Sequence, residues 1–138
     1  MAVGFNVDFY WFQIGSSDFL YSFFSTVAYR LENNIWGSKY PIIMKDLYYG
    51  KILIDSLDDA IIELSRIKDE FSRLKPESVI WSIDDLSIQP PWGNDISSDI
   101  ADMSNYYVTS DGRDFFDVFL LALTTAKELK KPLEIEAL

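Results

Sequence analysis

The chain has 138 residues and a formal net charge of −10, and it contains neither cysteine nor histidine. The missing residue types exclude disulfides, zinc–sulfur sites and nucleophilic catalysis of the Cys-His or Ser-His-Asp kind. The acidity disfavours nucleic acid, whose phosphates are held by clustered Lys and Arg, and makes a basic protein the natural charged partner.

The composition is 49% hydrophobic and 16% aromatic, so residues 1–138 are expected to fold as a single domain with a substantial core. Met1 to Asn6 lack a basic run, so no secretory signal is expected. The uncharged stretch Phe19 to Tyr29 is bounded by Asp18 and Arg30 and is shorter than the about 20 residues of a membrane span. A soluble cytoplasmic protein with no membrane partner is the expectation.

Val3, Phe5, Val7, Phe9 and Trp11 alternate with Gly4, Asn6, Asp8 and Tyr10, which predicts a first strand. Gly15 and Ser16 end it, and Ser17 is placed to cap a helix whose apolar face is Phe19, Leu20, Phe23, Phe24, Val27, Ala28 and Leu31. Asn33 and Asn34 close that helix. Pro41 to Met44 and Lys51 to Ile54 predict two short strands around a loop ending at Gly50. Ser56 to Asp59 resembles a capping box, and Leu57, Ala60, Ile61, Leu64, Ile67, Phe71 and Leu74 follow at helical spacing. Glu63 with Arg66 and Asp69 with Arg73 are expected surface pairs. Lys75-Pro76 ends this helix, and Val79 to Ile83 predicts a strand. Asn105 to Thr109 predicts another, Asp111-Gly112 a tight turn, Phe115 to Lys130 a third helix, and Leu133 to Glu136 a last strand. The expected class is α+β, one mainly antiparallel sheet packed against about three helices. Its core should include Phe5, Phe9, Phe23, Leu64, Phe71, Trp81, Phe119 and Leu123.

Charge is concentrated in one stretch. Asp84, Asp85, Asp95, Asp99, Asp102, Asp111, Asp114 and Asp117 occur with no glutamate and one cation, Arg113. In their midst lies Pro90-Pro91-Trp92-Gly93, where the prolines stiffen the backbone and the glycine permits a turn. Trp92 can cover the core or anchor a partner. Asp84, Asp85, Trp92, Asp95, Asp99 and Asp102 are the candidate partner-binding residues. The competing reading is that these aspartates make turns, cap helices and stay solvated. Asp95, Asp99 and Asp102 would share one face of a helix, where three carboxylates can hold a hard cation, but an acidic solvated face is the simpler reading. Adjacent Asp84 and Asp85 do not converge on a strand. No phosphate-binding glycine motif and no nucleophile–base pattern is present, so no catalytic residue, metal site or cofactor is expected.

Trp81, Pro90-Pro91-Trp92-Gly93, Ile96 and Ile100 precede Tyr106 to Phe116, which carries Thr109-Ser110-Asp111-Gly112-Arg113-Asp114. A long apolar helix and a closing strand follow. Together with Tyr40-Pro41 through Leu47-Tyr48-Tyr49-Gly50, this pattern resembles the immunity protein 70 family of bacterial polymorphic toxin systems. The resemblance covers most of the chain and is strongest from Trp81 to Glu136. It implies an antidote that binds and blocks a cognate toxin C-terminal domain, and the acidity points to a basic, nuclease-type one. A general acidic interaction module or chaperone, and a hydrolase working through carboxylates alone, are the alternatives.

Overall fold

The computed structural model describes residues 2–138; Met1 lies outside them. Among these described residues one sheet has four strands in the order β2-β1-β4-β3, every neighbouring pair antiparallel. The strands are β1 Ala2–Val7, β2 Tyr10–Ser16, β3 Lys51–Ile52 and β4 Leu133–Ala137. Three helices, α1 Ser17–Thr26, α2 Leu57–Phe71 and α3 Phe115–Leu129, surround one continuous apolar core with the sheet. A further π-helical segment spans Ile42–Leu47. The α+β class and the antiparallel sheet expected from sequence are those observed.

The first predicted strand is instead a hairpin. Asp8 takes a left-handed φ of 55°, Asp8-Phe9 forms a two-residue tip, and Val7 pairs with Tyr10. Reversing the chain there breaks the alternation. Val3, Phe5 and Val7 point into the core, but Phe9 is 93% exposed, against the burial expected for it. Phe12 and Ile14 supply the inward face of β2. Trp11, also placed in the inward series by sequence, pairs with Asn6 on the outer face and lies over Gly4. The other expected core residues, Phe5, Phe23, Leu64, Phe71, Trp81, Phe119 and Leu123, are buried.

Ser16, one residue before the expected cap, accepts the Phe19 amide at 3.1 Å and starts α1. The helix widens to a π-helix over Val27–Leu31 before Asn33 and Asn34 turn the chain with positive φ. Ser56 precedes α2 without a side-chain capping bond, so the resemblance to a capping box does not translate into one. Asp114 caps α3 by accepting the Asp117 amide at 3.1 Å, and left-handed Lys130 ends it.

Two buried carboxylates explain why Pro41 to Met44 is helical and not a strand. Glu32 accepts backbone amides from Gly37, Lys39 and Tyr40, each at 2.9 Å. Glu63 accepts those of Ile42 and Ile43 at 3.2 and 2.9 Å. A helical start leaves free amides, and Glu63 satisfies them. Glu63 is therefore a buried cap and not the surface partner of Arg66. Burial raises its carboxyl above the ordinary range even though the two amides lower it. Asp69 and Arg73 do pair, at 2.7 Å.

Val79 to Ile83 also has no strand partner among the described residues. Its polar groups go to hydroxyls on the buried face of α1. Ser22 and Thr26 donate to the Ile80 carbonyl at 2.8 and 3.2 Å, Thr26 accepts the Ile80 amide at 3.0 Å, and Ser25 accepts that of Ile83 at 3.1 Å. The buried Tyr107 hydroxyl joins Ser22 and Thr26, both at 2.9 Å. Asn105 to Thr109 is likewise not a strand. Met103–Asn105 is a 3₁₀ turn, and Val108 makes one isolated bridge to Asp114.

Candidate partner-binding surface

The candidate residues sit on irregular backbone between α2 and α3; Asp84 bonds to Tyr21 of α1, and Trp92 and Asp95 share a cavity with Phe19 of α1. Within Pro90-Pro91-Trp92-Gly93 the Gly93 amide donates to the Pro90 carbonyl at 2.8 Å, and Gly93 adopts φ 58°. This turn presents Trp92 edge-on to Trp81, with ring centroids 5.4 Å apart at 80°. The Trp92 indole N–H donates to the Tyr106 hydroxyl at 2.8 Å. The ring remains 39% exposed. Trp92 therefore closes over the core at one edge and offers the rest of its surface to solvent.

A cavity of about 220 Å³ opens beside it, lined chiefly by Phe19, Trp92, Asp95, Ile96, Ile100 and Tyr106. The fold thus brings Trp92 and Asp95 together on one cavity whose other walls are largely apolar. The other candidate aspartates have different surroundings. Asp84 is exposed and accepts the Tyr21 hydroxyl at 2.8 Å. Burial and this bond push the Tyr21 phenol well above its ordinary value. Asp85 accepts both the amide and the hydroxyl of Ser87, at 3.0 and 2.6 Å, and these bonds hold its carboxyl below the ordinary range.

The helical face expected from Asp95, Asp99 and Asp102 does not form. Asp102 caps the Met103–Asn105 turn by accepting the Ser104 amide at 2.7 Å, while the Asn105 side chain accepts the Ala101 amide at 3.1 Å. Asn105 also donates to the Asp99 carbonyl at 2.9 Å. Short polar side chains here compete with helical bonding and win. Among the described residues no group of three or more carboxylates is arranged to hold a metal ion.

Sequence reasoning missed Phe19 and Tyr106 as walls of the Trp92 cavity. Tyr106 carried a usable signal, since a tyrosine that is half apolar and half polar suits the edge of a core. Phe19 carried none, being one of several phenylalanines on an apolar helix face.

The immunity protein 70 pattern matches residues 5–135. The chain belongs to the immunity protein 70 family. No curated protein and no solved structure matches the chain.

Membership implies an immunity protein of a toxin system, with a cognate toxin as its partner, and suggests a non-enzymatic inhibitory role. In the structure of this immunity protein 70 member, the two motifs that carry the resemblance both make turns. Thr109 donates to the Asp111 carboxylate and accepts the Arg113 amide at 3.0 Å, with Gly112 at φ 84° between them. Asp114 then caps α3. The Ser110 amide reaches the Ile14 carbonyl at 2.9 Å, so this turn covers the outer edge of β2. Pro90-Pro91-Trp92-Gly93, for its part, seats Trp92 on Trp81 and Tyr106. No helix among the described residues is long and apolar enough to cross a membrane.

Proposed function

We propose that this protein neutralises its cognate toxin by stoichiometric binding in the cytoplasm, and that the toxin domain is basic and of nuclease type. The observation that carries this reading is the partly exposed Trp92 ring beside Asp95, within a stretch of eight aspartates and one arginine. Asp84, Asp85, Asp95, Asp99 and Asp102 form or flank the surface that meets the toxin, and Trp92 is its aromatic anchor. A one-signed field steers a basic partner and raises the association rate, and a desolvated aromatic slows dissociation. No catalytic group is needed for this mode of action, since blocking the toxin's own site is sufficient.

The test is co-expression with the C-terminal domain of a toxin sought in the adjacent gene, scored for rescue of growth, followed by binding kinetics. Asn at Asp95 and Asp99 together is expected to lower the on-rate and flatten its dependence on salt. Trp92→Ala is expected to raise the off-rate by about thirtyfold, equivalent to about 2 kcal/mol for an anchor residue. Failure of the wild-type chain to rescue growth would refute the neutralisation reading. Unchanged on-rates in the aspartate variants would move the surface elsewhere.

A further inference from the structure

A second, larger cavity of about 470 Å³ lies on the other flank of the first turns of α1. Leu20, Val3 and Ile135 give it aliphatic walls, Tyr21, Phe24 and Tyr48 aromatic ones, and Asp18 stands among its lining residues. The rings belong to a packed group. Tyr21, Phe24, Trp36 and Tyr48 contact one another with centroid separations of 4.8 to 6.3 Å. Asp84, bonded to the Tyr21 hydroxyl, adds a second carboxylate at the edge of this group. Neither Asp18 nor Asp84 takes part in the ion pairs found among the described residues, which join Lys39 to Glu70, Lys51 to Glu134, Arg73 to Asp69 and Lys127 to Asp58.

We propose that this aromatic and acidic cavity receives an arginine side chain of the toxin. The proposal rests on the neutralisation reading above and names the chemistry of one contact. Arginine matches each part of the cavity. Its aliphatic stem suits Val3, Leu20 and Ile135, its flat guanidinium stacks on aromatic rings, and its charge answers Asp18 and Asp84. An apolar side chain would leave the charges of Asp18 and Asp84 unanswered. An anion meets a net charge of −10, and Asp18 in the first turn already complements the N-terminal end of α1. The position supports the same reading. Phe19 lines the Trp92 cavity, while Ser17, Asp18, Leu20 and Tyr21 line this one, so both open beside the same helical turns.

The test uses the complex with the cognate toxin domain and arginine labelling by phenylglyoxal, read by mass spectrometry. The wild-type complex is expected to protect at least one toxin arginine, and Tyr48→Ala to restore its labelling under saturating conditions. Loss of the stacking ring should weaken binding about tenfold. Tyr48 is 37% exposed, so thermal unfolding of this variant checks its fold. Asp18→Asn, at an exposed position, is a second variant that should weaken binding severalfold and expose the same arginine. If both variants bind and protect as the wild type does, the arginine site is overturned while growth rescue stands. Protection of toxin lysines from an amine-reactive label, with no toxin arginine protected from phenylglyoxal, would also overturn it. A wild-type chain that neither binds nor rescues refutes the neutralisation reading, and the arginine site falls with it.

Discussion

Thr26 is the position where one atom exchange should have the clearest effect on stability. Its hydroxyl accepts the Ile80 amide at 3.0 Å, donates to the Ile80 carbonyl at 3.2 Å and touches the Tyr107 hydroxyl at 2.9 Å, all inside the core. Thr26→Val keeps the shape and removes the hydroxyl. The Ile80 carbonyl retains Ser22, and so does Tyr107, but the Ile80 amide has no other partner among the described residues. A buried donor left unpaired costs about 1–3 kcal/mol, so a loss of about 2 kcal/mol is expected. For a chain of this length that lowers the melting temperature by about 6–10 °C. Tyr107→Phe orphans neither group of Ile80 and should cost about 1 kcal/mol, less than Thr26→Val. Urea unfolding gives both energies, and hydrogen exchange at the Ile80 amide reports the local effect, which should accelerate in Thr26→Val. A loss below about 0.5 kcal/mol, or the reverse ranking of the two variants, would refute the claim that α1 hydroxyls replace strand partners for residues 79–83.

Three further outcomes follow from the packing. Trp92→Phe removes the bond to Tyr106 and should cost about 1 kcal/mol, while Trp92→Ala also uncovers Trp81 and should cost about 2–3 kcal/mol in thermal unfolding. Gly4→Ala would place a methyl 2.5 Å from both the Phe12 carbonyl oxygen and the Trp11 ring, and backbone cannot rotate away, so a loss near the top of about 1–3 kcal/mol is expected by denaturant titration. Glu63 has a folded-state pKa above its ordinary value, so the native state holds this proton more tightly than the unfolded chain. Its contribution to stability is therefore greatest below the ordinary glutamate pKa and declines as pH rises through the raised one. Stability measured across that window should fall less steeply in Glu63→Gln, which at every pH also turns an N–H₂ toward one of the Ile42 and Ile43 amides and lowers stability outright.

Periodicity revealed the elements that bury one face. The apolar spacing in α2, the breadth of α3 and the alternation at Leu133 to Glu136 each correspond to an observed element. It failed where a different backbone partner was available. Val79 to Ile83 is apolar enough for a strand, but three hydroxyls spaced along α1 take its polar groups, and spacing within one segment says nothing about donors on another. The helical turn at Ile42–Leu47 depends on Glu63, which looked like half of a surface pair because its burial is decided by the fold. The hairpin at Asp8-Phe9 was hidden because the alternation of residue types runs straight through the tip, where Asp8 takes a left-handed φ that no residue type in the run announces. For the candidate surface, the company of Trp92 and Asp95 was legible as neighbours in sequence. Phe19, which completes their cavity from α1, was not.

The division of labour among the aspartates bears on how binding and folding coexist on one surface. Asp85, Asp102, Asp111 and Asp114 each accept a hydrogen bond from a nearby amide or hydroxyl and fix a turn or helix end. Such bonds come from neutral donors, so they leave the negative charge in place. At Asp85 they lower the carboxyl pKa and retain the charge to lower pH. The two readings of the acidic stretch, turn-making and partner attraction, are therefore compatible physically. A carboxylate locked into a turn still contributes to the long-range field, and it does so from a defined position. What it gives up is the freedom to rearrange around a ligand. In the proposed complex, close contact falls to side chains with exposed surface to offer, Trp92 with Asp95 on one flank of α1 and Tyr48 with Asp18 on the other. Substitutions at the turn-fixing aspartates should accordingly disturb stability and association together, whereas Asp95, whose carboxylate makes no hydrogen bond among the described residues, isolates the electrostatic contribution.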